Sequence, residues 1–103
     1  MNTNIDLSYV IIRSANSGVH AGYLISWDGD SVVLKDSRRL WCWVVAKMTG
    51  PLASLSEVAV YGINSADTRS RIATTVPQMR VLGVCEILYA SPAAQKSIEK
   101  APQ

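Results

Sequence analysis

The sequence has few of the side chains that bind metals or form disulfides. Its 103 residues include two cysteines and one histidine, so one disulfide is the most that could form. Neither the C-x-x-C nor the H-x-x-x-H spacing occurs, and a structural zinc site needs four suitably spaced ligands. We therefore expect no metal and no cofactor, with both thiols reduced as is usual in the cytoplasm.

Long apolar runs and a strong excess of charge are also missing. No apolar stretch approaches the roughly 20 residues that a membrane-spanning helix needs. The first residues lack the basic and apolar regions of a signal peptide. The formal net charge of +2 is small for a protein that wraps duplex DNA through many phosphate contacts. These absences predict a cytoplasmic protein that binds neither a membrane nor duplex nucleic acid.

The length and apolar content are those of a small globular protein. Hydrophobic residues make up 49% of the chain, which is too many for intrinsic disorder. A chain of this length forms one compact domain rather than two. We expect a single domain over residues 1–103, with residues 1–7 as a flexible N-terminus.

Segments rich in β-forming residues alternate with turns along most of the chain. The D-G-D sequence at residues 28–30 predicts a tight hairpin, because Asp-Gly readily supplies positive φ. The D-S-R stretch at residues 36–38 predicts a second short break between strands. Residues 64–70 are predicted to form a polar loop, and residues 71–76 a weak strand that Pro77 ends or confines to a sheet edge. Residues 79–89 are predicted to form the longest strand, in which Gly83 indicates a bulge or a close approach by another backbone.

Two helices are predicted from their end signals, after a loop over residues 47–53. Ser54 and Glu57 form a capping box that begins a short internal helix, and Gly62 is the residue expected to end it. A serine and a proline at positions 91 and 92 begin a C-terminal helix over residues 91–100. The order of elements predicts an α+β fold with a mainly antiparallel sheet that is curled or barrel-like.

No catalytic set stands out. His20 is the only imidazole, and no nucleophile-elbow or papain-like signature surrounds a nearby serine or cysteine. His20 is more simply interpreted as supporting a turn or a hydrogen-bond network. Glu86 lies inside an apolar strand, where it either faces water or pairs with an arginine in a functional site. We expect no enzyme activity; a small nucleotide hydrolase using His20 or Glu86 is the alternative.

The sequence RRLWCW at residues 38–43 carries the best binding chemistry. On a strand, Arg39, Trp41 and Trp43 share one face, while Arg38 lies on the other. A guanidinium binds phosphate through two hydrogen bonds, and an indole stacks on a purine. The same residues are also consistent with aromatic core or interface positions beside solvated arginines.

Several stretches are similar to a family of small phage and prophage proteins. They are YVIIR at residues 9–13, SGVHAG at 17–22, VVL at 32–34, SRRLWCW at 37–43, SLSEVA at 54–59, EIL at 86–88 and SIE at 97–99. This family resembles the Thoeris anti-defence proteins, phage "sponges" that bind cyclic ADP-ribose isomers made by bacterial TIR immune enzymes. Some of these proteins also bind cyclic oligonucleotides, and they assemble as oligomers.

The resemblance implies a binding protein that sequesters a cyclic nucleotide signal without cleaving it. The arginines would neutralise phosphate, and aromatic side chains would stack on the base. The candidate ligand-binding residues are Arg38, Arg39, Trp41, Trp43, Arg13, His20 and Tyr23.

A homo-oligomer is expected, because a small domain encloses such a ligand more easily between subunits. The alternative is a phage accessory or virion module that binds a host or phage protein, with the tryptophan pair as its contact.

Overall fold

A long antiparallel hairpin is the largest feature of the computed structural model, which describes residues 7–44, 54–67 and 69–102. The strands are β1 (Tyr9–Ser14), β2 (Gly18–Asp28), β3 (Ser31–Cys42), β4 (Arg71–Ile72), β5 (Val76–Val81) and β6 (Val84–Tyr89). The helices are α1 (Leu55–Tyr61) and α2 (Pro92–Glu99). The predicted α+β class is confirmed, with one internal and one C-terminal helix. Apart from residue 7, the predicted flexible N-terminus lies outside the described residues, as does the loop predicted over residues 47–53.

All the strands belong to one antiparallel sheet. Its order is β4-β3-β2-β1-β6, and β5 pairs with the first half of β3. β3 therefore pairs with β4 near its C-terminal end and with β5 near its N-terminal end. Among the described residues β5 and β6 do not pair with each other, so the sheet is curled without closing into a barrel.

The β2–β3 hairpin produces the curl by bending in its middle. The pairing register shifts between Ala21 and Tyr23 on β2, and Asp36 on β3 has a φ of 51°. Irregularities of this kind bend a strand and increase its twist. The bend carries the hairpin tip to the start of β6, where the Val84 N–H donates to the Asp30 carbonyl at 2.8 Å.

Two apolar clusters lie on opposite faces of the sheet. The inner cluster, inside the curl, contains Val10, Ile12, Leu24, Val32, Leu34 and Val81. The helix-side cluster contains Tyr9, Ile11, Ala21, Leu40, Leu55, Val58, Ala59, Ile63, Ile98 and Ala101. Alternate residues of β1 enter the two clusters, which is why this strand is apolar without interruption.

Both predicted helix starts are confirmed. Ser54 precedes α1, and the Glu57 carboxylate accepts from its backbone N–H at 2.9 Å. Ser91 precedes α2, and its Oγ accepts from the Ala94 N–H at 3.1 Å. The Ser91 hydroxyl also donates to the Val60 carbonyl at 2.7 Å. This serine therefore joins the end of one helix to the beginning of the other.

Two of the predicted strand boundaries are wrong. Residues 36–38 do not break the chain between strands, because β3 continues through them with the bend at Asp36. Residues 79–89 form two strands, since Gly83 has a φ of 69° and turns the chain from the β3 side to the β1 side. The turn is held by the Ser14 hydroxyl, which donates to the Leu82 carbonyl at 2.7 Å.

Replacing Gly22 is expected to destabilise the bent hairpin. A Cβ at this position would lie 3.0 Å from the Lys35 carbonyl oxygen and 3.1 Å from Ser37 Cα. Both are backbone atoms, so β3 itself must move. We expect Gly22→Asn to lower the unfolding free energy by about 1–3 kcal/mol, as measured by urea denaturation.

Gly29 provides the matched control for this substitution. It has a φ of +59°, and no atom lies within 4 Å of an added Cβ. Asparagine tolerates this conformation, so Gly29→Asn should change stability by about 0.5 kcal/mol or less. Equal losses for the two variants would contradict the close approach at Gly22.

Candidate ligand-binding groove

A groove of about 590 Å³ lies beside the short strand β4. Four parts of the chain line it: Trp41 of β3, the loop at residues 65–67 and 70, residues 71–73, and residues 101 and 102 after α2. Its volume falls within the roughly 300–1,000 Å³ that is usual for small-molecule sites. The groove is therefore large enough for a nucleotide-sized ligand.

Trp41 and Arg71 are the groove residues best suited to hold a ligand. The register shifts between Leu40 and Cys42, where β3 pairs with β4, and the Trp41 side chain at this irregularity is 71% exposed. Arg71 pairs with Cys42 across the strands and is also exposed. Its guanidinium forms no ion pair with any residue that the structure describes. An indole and an exposed guanidinium thus line the same groove.

The loop before β4 holds its own charges in an internal ion pair. The Arg69 Nη2 donates to Asp67 Oδ2 at 2.8 Å, and Nε donates to Oδ1 at 3.0 Å. The Arg69 backbone N–H also donates to Asp67 Oδ1, at 2.9 Å. Hydrogen bonds from the Arg69 side chain and backbone lower the pKa of Asp67 to about 2. Since Asp67 and Arg69 neutralise each other, Arg71 is the cation that the described lining of the groove offers to an anionic ligand.

Arg38 does not contribute to the groove as a ligand contact, which corrects the sequence prediction. Its side chain is 2% exposed. Its donors bind backbone carbonyls at 2.7–3.3 Å, namely those of Ala73, Ile98, Ala101, Ile72 and Pro102. A guanidinium has five N–H donors, and these five bonds use all of them. Arg38 therefore has a structural role.

Arg39 faces away from the helix-side cluster and lies opposite His20 in the sheet. It is exposed and does not line the groove. Its backbone carbonyl accepts from the Ala73 N–H at 2.8 Å, which holds the chain just after β4. A ligand contact by its side chain stays a prediction.

The other two aromatic candidates lie on the helix side of the sheet. Trp43 is half-buried against the helix-side cluster and does not share the exposed position of Trp41. The irregularity near the end of β3 interrupts the strand alternation that predicted Trp41 and Trp43 on one face. Tyr23 packs edge-on against Tyr9 with ring centroids 5.1 Å apart, and its hydroxyl donates to Glu99 at 2.6 Å. Tyr23 thus fastens α2 to the sheet.

Arg13 and His20 are also engaged away from the groove. Arg13 forms an ion pair with Glu86 at 3.1 Å, and both side chains remain partly exposed. His20 is 1% exposed, and its Nε2 lies 2.9 Å from the Ser17 carbonyl oxygen. The imidazole supports the turn before β2, so neither residue can contact a ligand in the groove.

The sequence pattern did not identify Arg71 as a binding residue. A strand of two residues has too little periodicity to show which side chains share a face. The one available signal was its position at the start of a predicted weak strand, directly after a polar loop. Its proximity to Trp41 depends on pairing across about 30 residues of chain, which no local pattern reports.

The comparisons with known proteins identify a family for the chain. A family profile matches residues 7–98. The chain belongs to the DUF6948 family, a domain of unknown function. The DUF6948 match includes Arg38, Trp41 and Arg71, and it ends before the groove wall formed by residues 101 and 102. Searches of curated proteins and of solved structures found no match.

Three further findings restrict the chemistry of this DUF6948 chain. In residues 7–44, 54–67 and 69–102, no group of three or more His, Cys, Asp or Glu side chains could hold a metal ion. Cys42 and Cys85 are exposed and form no disulfide. Neither α1 nor α2 has the length and apolar character required to span a membrane.

Burial of His20 is expected to make stability depend on pH. Burial is the main cause that lowers the pKa of His20 from 6.5, so the unfolded chain binds a proton more readily than the folded chain. The contribution of His20 to the unfolding free energy is therefore fully present above pH 6.5, and it is lost as the pH falls below this value. We expect the unfolding free energy at pH 5.5 to be lower than at pH 7.5 by up to about 1.4 kcal/mol.

A His20→Gln variant separates this contribution from those of the carboxylates. Urea denaturation at the two pH values should show a smaller difference for the variant than for the wild type. An NMR titration of the imidazole provides a direct check. An imidazole that titrates at or above pH 6.5 in the folded protein would contradict the expected direction.

Proposed function

We propose that this protein binds a small cyclic nucleotide in the groove and holds it without cleaving it. The observation that carries the proposal is that exposed Trp41 lies in one groove of about 590 Å³ with Arg71, which has no ion pair among the described residues. A cyclic ADP-ribose isomer has a purine for the indole and phosphates for the guanidinium. The proposed site keeps Trp41 from the predicted set and replaces Arg38 with Arg71.

Each of the two contacts has a distinct physical contribution. Stacking of a base on an aromatic side chain contributes roughly 1–3 kcal/mol. A guanidinium forms charge-assisted, often paired, hydrogen bonds with phosphate oxygens. The neutralised Asp67–Arg69 pair avoids strong repulsion of an anion that enters beside it.

Two polar side chains of the groove already form hydrogen bonds within the protein, which favours binding over catalysis. Ser70 Oγ accepts from the Val44 N–H at 2.9 Å. The Asp67 carboxylate is occupied by Arg69. His20, the only imidazole in the chain, is buried elsewhere. A nucleophile, a base and an orienting group would all be needed for covalent hydrolysis, so we propose no turnover.

The proposed biological role rests on the resemblance to the Thoeris anti-defence proteins. A phage protein with this site would act in the cytoplasm of the infected bacterium by lowering the free concentration of an immune signal. Sequestration requires tight capture in a preorganised site. It does not require a catalytic group.

We also propose that the protein acts as a homo-oligomer. A chain of 103 residues encloses a nucleotide more easily between two copies than within one. Light scattering coupled to size-exclusion chromatography should give a mass of at least two chains. A monomer at all concentrations, with and without nucleotide, would contradict this part of the proposal.

Calorimetric titration tests the proposed binding. The wild type should bind glycocyclic ADP-ribose or a cyclic di- or trinucleotide. Trp41→Ala should weaken binding by roughly 5- to 150-fold through lost stacking. Arg71→Ala should weaken it by roughly 10- to 150-fold through lost bonds to a charged group.

Trp27→Ala and Arg80→Ala are the matched controls. Trp27 is an exposed tryptophan of β2 and Arg80 is an exposed arginine of β5, and neither lines the groove. Both variants should bind as the wild type does. Binding to none of these nucleotides would refute the proposal, and so would equal losses for the controls and the groove variants.

The fate of the ligand distinguishes the proposed binding protein from a hydrolase. Nucleotide incubated with the protein and released by heat should return with its mass and chromatographic retention unchanged. Altered nucleotide would overturn the proposal of sequestration. It would also call for testing of His20→Ala and Glu86→Gln.

A protein-binding module is the second candidate, and Trp41 is the observation that favours it. An indole that is 71% exposed is a common anchor of protein interfaces. Trp41→Ala would then abolish co-purification of a host or phage protein, and the groove would hold no nucleotide. The calorimetric and co-purification results therefore separate the two functions.

A further inference from the structure

The five carbonyls bound by Arg38 are concentrated at the groove. Four of them belong to residues that line it, which are Ile72, Ala73, Ala101 and Pro102. The first two lie in and just after β4, and the last two follow α2. One buried guanidinium thus binds two groove walls that are about 30 residues apart in the chain.

We propose that Arg38 is the positioning residue of the groove, fixing the distance between β4 and the segment after α2. The proposal rests on the proposed function for its consequence in binding. Its structural part, the joint fixing of the two walls, can be tested without any ligand.

The shape of the guanidinium suits this role. Its Nε and Nη2 donate to Ala73 and Ile72, while Nη1 and Nη2 donate to Ala101 and Pro102. The fork is planar and rigid, so the two carbonyl pairs are held at one separation. A lysine ammonium has three donors and would leave at least two of the five carbonyls without their partner.

The remaining pairing of β4 with β3 is short. The strand has two residues, and its pairing with β3 has a register shift. The Ala73 N–H bond to the Arg39 carbonyl is the next contact along the chain. Loss of the Arg38 bonds should therefore release this wall easily.

α2, in contrast, has attachments that do not involve Arg38. Ile98 and Ala94 are fully buried. Glu99 accepts from Tyr23, and Ser97 Oγ accepts from the Ile63 N–H at 3.0 Å. These contacts keep the helix on the sheet when Arg38 is replaced. We expect the groove walls to loosen while the rest of the fold persists.

Hydrogen exchange in Arg38→Lys tests the positioning role directly. The amide of Ala73, bound to the Arg39 carbonyl, and that of Ala101, bound to the Ile98 carbonyl, should exchange about 10- to 100-fold faster than in the wild type. Amides of β1 should exchange at unchanged rates. A uniform increase across the chain, or no increase at the two groove amides, would overturn the proposal.

Leu24→Ala provides the control for general destabilisation. Leu24 lies in the inner cluster, away from the groove, and its truncation should lower global stability. Exchange at Ala73 and Ala101 should then rise no more than exchange at β1. A selective rise at the two groove amides in this variant would show that they respond to any loss of stability, and it would overturn the proposal.

The wild type gives a second measurement in case Arg38→Lys does not fold. In rising urea, the amides of Ala73 and Ala101 should open together, at a free energy below that of global unfolding. Opening at different free energies, or only with global unfolding, would overturn the proposal.

A titration of Arg38→Lys with glycocyclic ADP-ribose tests whether the position of the two walls affects nucleotide binding. We expect binding at least about ten-fold weaker than in the wild type, although Arg38 does not line the groove. If the wild type binds no nucleotide, the proposed function fails while the exchange result still decides the positioning role. If the walls exchange faster in Arg38→Lys but its affinity is unchanged, wall position does not control nucleotide binding, and this part of the proposal is overturned.

Discussion

Much of this structure depends on the hydrogen bonds of one buried guanidinium, that of Arg38, which has no ion pair among the described residues. Removal of a cation from water is costly unless its donors are satisfied. Arg38 meets this requirement with five backbone carbonyls. The Ile98 carbonyl lies in the last turn of α2, where a helix favours positive charge. The same bonds join β3, β4 and the C-terminal segment. The satisfaction of one charge therefore holds together parts of the chain that are far apart in sequence.

The arginines of this small domain have different roles. Arg38 lies inside and is fully bonded, whereas Arg39 is exposed. Arg13 and Arg69 are engaged by carboxylates. Arg71 has no ion pair among the described residues, and it lies in the groove with Trp41. The proposed binding chemistry thus rests on a cation that has no ion pair among the described residues.

Features encoded by a few neighbouring residues could be predicted, and features that need distant contacts could not. The capping pair Ser54 and Glu57, the Ser91 cap and the turn at residues 28–30 act over three or four positions, and each is present. The boundaries near Asp36 and Gly83 were wrong because strand continuity there depends on which strand lies alongside. Periodicity cannot distinguish a bend within a strand from a break between two strands.

The sequence by itself determined the α+β class, the helix starts, the hairpin turn and the opposite faces of Arg38 and Arg39, since all of these follow from local conformational preference and strand alternation. Only the tertiary structure decided which face α2 would cover, and hence which arginine would be buried. It also decided that Arg71 would lie with Trp41 in one groove. These outcomes depend on pairings that span about 30 to 60 residues, and burial at such distances is settled by the packing of the whole chain.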